Sequence, residues 1–504
     1  MDPCAWRTLP WAKGPNVASN DGDRRPGTLR LTVVAVAAVL VCVAAAVTLA
    51  PGAVASIVGE VQASFRDIAG QTTSDVRTEP AATTAGATPT PPETTAPVPR
   101  HRVRIATRPR GADVTITPED GGPALTGTSP FTAQVPEGSA TVSITRRGRQ
   151  PLERRLSVER NRKVRWWLDP RGQLHHKVTQ FTTGSAPKQV AFTPDRREVW
   201  VTLLGGPGVE VFRPRTGRRL ATIDLGDHGA VEVIFTADGS TAYVSQMESA
   251  SVHEIDTATH EVTRRLSTEG SWTKVLALSP DESTLYASNW SSNDVSEIDL
   301  VSGDVVRRLP AVATPRGLFV APGGETLYVA GFDGGELQRI DLRDGSSTIL
   351  ETTGGAMRHL VGDSDRGRLY ADDMGADAVF VHDLGHRRVR RLTATDEKPN
   401  TIDLGADGRV LYVSNRGANN AESYYLPGPE WGSVLVFDAA TGEPLDAIVG
   451  GNQTTGLDVS EDGRLLAFSD FLDNRVQVYE VPPHDALVAG DGGRFGRHRR
   501  DLVK

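Results

Sequence analysis

Between residues 174 and 483 the chain repeats itself about every 42 residues. The aligned anchors are Trp200, Tyr243, Tyr286, Tyr328, Tyr370, Tyr412 and Ala467, at spacings of 43, 43, 42, 42, 42 and 55. One unit, KVLALSPDESTLYASNWSSNDVSEIDLVSGDVVRRL (274–309), holds four short apolar segments (VLAL, TLYAS, VSEID, VVRRL) separated by turn residues. A period of this length with four strands (a to d) per unit predicts propeller blades, and seven anchors predict seven of them. Asp281, Asp238-Gly239 and Asp407-Gly408 fall in the a-to-b turns. Asp256, Asp299, Asp341 and Asp438 open the c-to-d turns, where their side chains can bond the backbone.

The last unit ends at VQVYEV (476–481) and stops at Pro482-Pro483 without a fourth strand. The first unit has a spare strand before it, HKVTQFTT (176–183). The expectation is that this strand completes the last blade, so that the ring closes and two exposed edges disappear.

In such a ring the start of strand a and the end of strand b converge at one mouth. The first aligned column there is Lys188, Val231, Lys274, Arg316, Arg358, Asn400 and Thr455. The second is Leu203, Gln246, Asn289, Gly331, Asp373, Asn415 and Asp470, and the third is Leu204, Met247, Trp290, Phe332, Met374, Arg416 and Phe471. Cations, amides or carboxylates, and large apolar groups at one mouth suit an acidic ligand with an apolar or sugar face. The sixth unit carries a longer b-to-c loop, GANNAESYYLPGPEWG (417–432), expected over the same mouth. Its Tyr424, Tyr425 and Trp431 are candidate binding anchors.

Upstream, residues 101–168 alternate with period two and are broken by Gly and Pro clusters, which predicts a small β-sandwich. The stretches RPRGADVTI (108–116) and GTSPFTAQVPEGSATVSI (127–144) resemble the PEGA domain, with Ser139 at the position of the eponymous Ala. That resemblance implies an adhesion or spacing role without chemistry. The tetrapeptides YVSQ, YASN, YVAG, YADD and YVSN at fixed spacing resemble the YVTN-family propellers over all seven units. LYVSNRGANN (411–420) is locally similar to the propeller lactonases related to 6-phosphogluconolactonase. These resemblances imply the fold and leave the function open.

Residues 31–49 (LTVVAVAAVLVCVAAAVTL) carry no charge, and apolar character continues to 58, long enough to cross a bilayer as one helix. Arg24, Arg25 and Arg30 precede the run, while Glu60 and Asp67 follow it. This predicts a cytoplasmic segment 1–30, an anchor 31–58 and an extracytoplasmic remainder. A cleaved signal peptide is the competing reading. The linker, 59–100, is rich in Thr and Pro from 71 onward and lacks the apolar residues needed to fold. The tail, 484–504, is dense in arginine and is expected to be disordered. The two cysteines, Cys4 and Cys42, lie outside the outer region, so no disulfide framework or Cys-based chemistry is expected there.

The sequence therefore predicts an all-β protein, a seven-bladed propeller with a small N-terminal sandwich on a single transmembrane helix. Its leading function is that of a cell-surface binding or scaffold protein. Expected partners are the membrane (single-pass, N-terminus inside) and a cell-wall polymer, acidic glycan or surface protein. No cofactor, metal or catalytic residue is assigned. The runner-up is a lactonase-type hydrolase in which Asn289, Asp373, Asn415 and Asp470 approach a divalent cation. No Glu stands in that column, and no nucleophile motif is visible. Nucleic-acid binding by the propeller face is a third reading. The net charge of -8 and the predicted outside location count against it.

Overall fold

A computed structural model describes residues 98–504 except 227, 387 and 406. The predicted cytoplasmic segment and anchor, and all but the end of the linker, lie outside the described residues. Among those residues no helix is long and apolar enough to cross a membrane.

The first seven strands are β1 (Arg100–Arg108), β2 (Asp113–Pro118), β3 (Leu125–Thr128), β4 (Phe131–Pro136), β5 (Gly138–Thr145), β6 (Leu152–Val158) and β7 (Arg162–Trp167). They form a three-stranded sheet β4-β1-β7 and a four-stranded sheet β3-β2-β5-β6. Strand alternation sends Val103, Ile105, Val114, Ile116, Val142 and Ile144 into one shared core.

Seven four-stranded antiparallel sheets follow, over 187–224, 230–267, 273–310, 315–352, 357–394, 399–449 and 454–480. The first six run a-b-c-d in chain order. The seventh has only three strands of its own. Its outer strand is β8 (His176–Thr182), which pairs antiparallel with strand c, Arg475–Glu480, as the spare strand was expected to do. The a strands of successive sheets neighbour one another in a closed circuit, the seventh lying against the first. Between sheets, apolar side chains interleave. Trp200 of the first sheet, for example, is fully buried beside Val233 and Val244 of the second.

The sheets are also stitched near the axis by hydroxyls at the penultimate position of strand b. Thr202, Ser245, Ser288 and Ser414 donate to the carbonyls of Val231, Lys274, Arg316 and Thr455 in the next sheet. Two close approaches there require glycine. A Cβ on Gly317 would stand 2.8 Å from Arg358 O, and one on Gly456 would stand 2.6 Å from Gln189 Cα. The c-to-d turn aspartates bond the backbone as their position predicts, with Asp256 accepting from Thr259 N at 2.8 Å and Asp299 from Ser302 N at 2.7 Å.

The tail departs from expectation. Residues 484–504 are packed rather than disordered, with helices over His484–Ala489 and Arg499–Leu502. Leu487 and Leu502 are buried, Phe495 packs on Phe437, and His498 lies 2.9 Å from Asp396. Val503 then bridges Glu430 in the long loop of the sixth unit. A few widely spaced apolar residues hold this segment, and the arginines between them masked the pattern.

Candidate functional site

The mouth is built where strand a begins. Position two of that strand supplies Lys188, Lys274, Arg316 and Arg358, and Arg416 joins them from the end of strand b in sheet six. Burial and the neighbouring cations Arg358, Arg316, Arg416 and Lys274 hold the Lys188 amine well below the usual lysine range. Burial, then Arg316 and Arg358, does the same to Lys274. Burial lowers Arg316 as well, against the pull of Glu232. Burial in turn pushes the Glu232 carboxyl up to about 7, despite Arg316 and Lys188.

Two of the five cations are structurally committed. Arg358 donates to Asn400 O at 2.8 Å and to Asn400 Oδ1 at 3.0 Å. It thereby replaces the hydroxyl stitch seen in sheets one, two, three and six, because Asp372 occupies the corresponding Ser position and accepts from His359 N instead. Arg416 donates to Gln453 Oε1 and lies 4.0 Å over the Tyr424 ring.

Lys188, Lys274 and Arg316 have only soft partners. Lys188 sits over Phe471, and Arg316 over Trp290 at 5.7 Å. Lys274 lies against both Trp272 and Trp290 and 2.7 Å from Met247 Sδ. None of the three forms an ion pair among the described residues. Phe332 packs on Trp290 at 4.9 Å between ring centres, extending the apolar wall. Several buried polar atoms at this end of the ring lack partners, namely Arg416 Nε, Asn400 Nδ2, His359 Nδ1, Asp372 Oδ2 and Asn415 Oδ1.

The structure places the second column elsewhere. Asn289, Asp373, Asn415 and Asp470 are fully buried and bond the backbone and side chains around them. Asp373 Oδ1 accepts from the N–H groups of Ala356, Gly375 and Ala376, and its other oxygen accepts from Thr353. Asp470 accepts from Gly451 N, Thr454 Oγ1, Arg475 and Gln477. Asn289 is held by Thr273, Asp294 and Ser296, and Asn415 donates to Val413 O. These side chains cap loops at the end of strand b. The carboxylate oxygens of Asp373 and Asp470 are all engaged, and among the described residues no group of three or more His, Cys, Asp or Glu could hold a metal ion.

The long loop of the sixth unit divides its aromatics. Tyr424 joins the mouth between Arg416 and Phe471, and Tyr425 leans on Tyr424 while half exposed. Trp431 does not reach the mouth. Its backbone N–H donates to Leu502 O, and its ring lies 4.6 Å beneath Lys504 Nζ. Trp272 and Glu232 were missed from sequence. Trp272 precedes strand a by one residue, and Glu232 stands at the third position of that strand, which faces the axis only once the sheets are in register.

Residues 229–453 match the family of YNCE-like β-propellers. The chain is also 34% identical to antigen Lp49 of Leptospira interrogans over 324 residues, which cover 62% of this chain and 71% of that protein. The chain belongs to this family of β-propeller proteins. A solved chain of Kuenenia stuttgartiensis hydrazine synthase superposes with a TM-score of 0.52 at 18% identity, covering 60% of this chain and 98% of that one. At that identity the likeness is one of fold. The family match starts at 229, so it leaves the sandwich at 101–168 outside it.

Proposed function

We propose that this propeller protein is a surface-binding protein, not an enzyme, and that its mouth takes an anionic ligand with an apolar or sugar face. The observation that carries this reading is the trio Lys188, Lys274 and Arg316, desolvated beside aromatic faces and in no ion pair among the described residues, with Glu232 the buried carboxyl that pulls on Arg316. Holding such charges near one another costs free energy that a bound anion would offset. Lys274→Ala with Arg316→Ala should weaken binding of a small anionic sugar, glucose 6-sulfate, to the full-length chain by about tenfold or more, with neutral glucose as the control. Equal affinity in the variant would overturn the reading. Relationship to an antigen is consistent with a surface role and supplies no ligand.

We further propose that the seven sheets are seven blades of a YVTN-type ring carried outside the cell, with the 101–168 sandwich as a PEGA-like spacer. The anchor is the charge-free run 31–49 with its extension to 58, N-terminus inside, as the flanking arginines favour. On intact cells, a cysteine engineered into 71–100 should react with an impermeant reagent while Cys4 does not. Labelling of Cys4, or a mature chain beginning near Ser56, would refute this topology.

A further inference from the structure

A second cationic surface lies away from the mouth. Strands β1 (RHRVRIATR), β4 (FTAQVP) and β7 (RKVRWW) contain no Asp or Glu. Alternation turns Val103, Ile105, Val164 and Trp166 to the core, so Arg104, Arg108, Lys163, Arg165 and Trp167 share the opposite face. The register sets Arg104 beside Lys163 and Arg108 beside Trp167. Here a cleft of ≈ 430 Å³ is lined by five cations, including Arg110, and by no carboxylate.

Arg108 and Arg110 also line a larger cleft of ≈ 920 Å³, where the sandwich meets the seventh sheet and the C-terminal segment. Arg149, Arg171, Lys177, Arg494, Arg497 and Arg500 complete its positive lining. Its two carboxylates are engaged, Asp169 with His176 and the Lys177 N–H, and Asp501 with Arg494. Arg494 is only 6% exposed, and its Nη1 has no partner. The aromatic faces are covered. Arg108 and Lys177 lie over Trp167 at 5.3 and 4.7 Å, and Lys177 over Tyr479 at 5.4 Å. Burial lowers the Lys177 amine to about 8.

We propose that these joined clefts form one track that binds a linear acidic sugar or polyol polymer through its phosphate or carboxylate groups. Two clefts sharing Arg108 and Arg110 suit an extended chain of anions better than a compact one. Guanidinium groups recognise both oxyanions in bidentate fashion. Single-stranded nucleic acid is the poorer fit, because base stacking needs open aromatic faces and those of Trp167 and Tyr479 are occupied by cations. The inference is independent of the mouth, since no residue is shared.

The test uses the full-length chain with poly(glycerol phosphate), polygalacturonate, neutral dextran and a single-stranded DNA oligomer. Arg110, Arg165 and Arg171 are exposed, so a triple Arg→Gln variant should fold normally. It should lose about tenfold or more in affinity for at least one acidic polymer, and a triple Arg→Lys variant should retain most of it. Lys274→Ala with Arg316→Ala should leave that binding unchanged. Binding to one polymer alone supports the proposal and identifies the anion. Unchanged affinity in the Gln variant, loss only in the mouth variant, or DNA binding tighter than either polymer would overturn it.

Discussion

The cations at the mouth and those of the track differ in what surrounds them. At the mouth, Lys188, Lys274 and Arg316 are brought together by sheet packing, are removed from water, and face rings and a thioether. Along the track, Arg104, Arg110, Arg165 and Arg171 stand on exposed strand and loop positions and keep their hydration. A buried group of like charges is costly, tunable and short-ranged. An exposed row costs little, stays charged and acts at a distance. One chain thus carries a site suited to selecting an anion and a surface suited to gathering one.

The largest separation between the two should come from salt. Raising NaCl from about 50 to 500 mM should weaken acidic-polymer binding to the track on the order of 100-fold, but binding at the mouth only about tenfold, because a low-dielectric pocket is poorly screened. Titrating each site in the variant that silences the other would measure this. Equal salt slopes would erase the distinction.

The next effect is on pH. As pH rises, the Glu232 and Asp372 carboxyls, both lifted by burial to about 7, ionise beside Arg316, Arg358 and Arg416, while burial and the neighbouring cations hold the Lys188 and Lys274 amines well below the usual lysine range. Both changes oppose anion binding, so affinity at the mouth should fall about tenfold between pH 6 and pH 9. The track, carried mostly by arginines, should change less, with Lys177 titrating near 8. Isothermal titration across that range decides it, and a mouth affinity that rises with pH would contradict the charge assignment.

Much of the fold was legible because its signals are local. Alternation, the 42-residue period and the turn aspartates each act within one unit, and the lack of a fourth strand after 476–481 pointed to its replacement at 176–183. The site was only half legible. A polar residue ending strand b looks the same whether it faces a ligand or caps a loop, and Asp373 and Asp470 prove to be caps. Arg358 likewise reads as a ligand-binding cation until Asp372 is seen in the place of a stitching serine. The track could not be read at all, since it joins residues 104–110, 149–177 and 494–500, which no spacing rule connects.

The smallest predicted effect sharpens the comparison through stability. Lys274→Met removes a desolvated charge and keeps the stem that packs on Trp290, so it should raise unfolding free energy by about 1 kcal/mol. Arg165→Met, on the exposed track, should stay within about 0.5 kcal/mol of the parent. Thermal melts of the two variants provide the measurement. Destabilisation by Lys274→Met would show that the amine contributes to the fold itself.

The pairing of β8 with strand c of the seventh sheet also bears on how the protein is made. Gln180 meets Gln477, and Phe181 meets Val476. Almost the whole ring must therefore leave the ribosome between the first of these partners and the second. At about 5–20 residues per second, that leaves β8 waiting on the order of half a minute, with an incomplete arc open at both ends. Apolar edges are exposed throughout that interval. A nascent chain stalled before residue 475 would thus be a natural client for holdase chaperones, and release of the last few dozen residues is the step that ends its vulnerability.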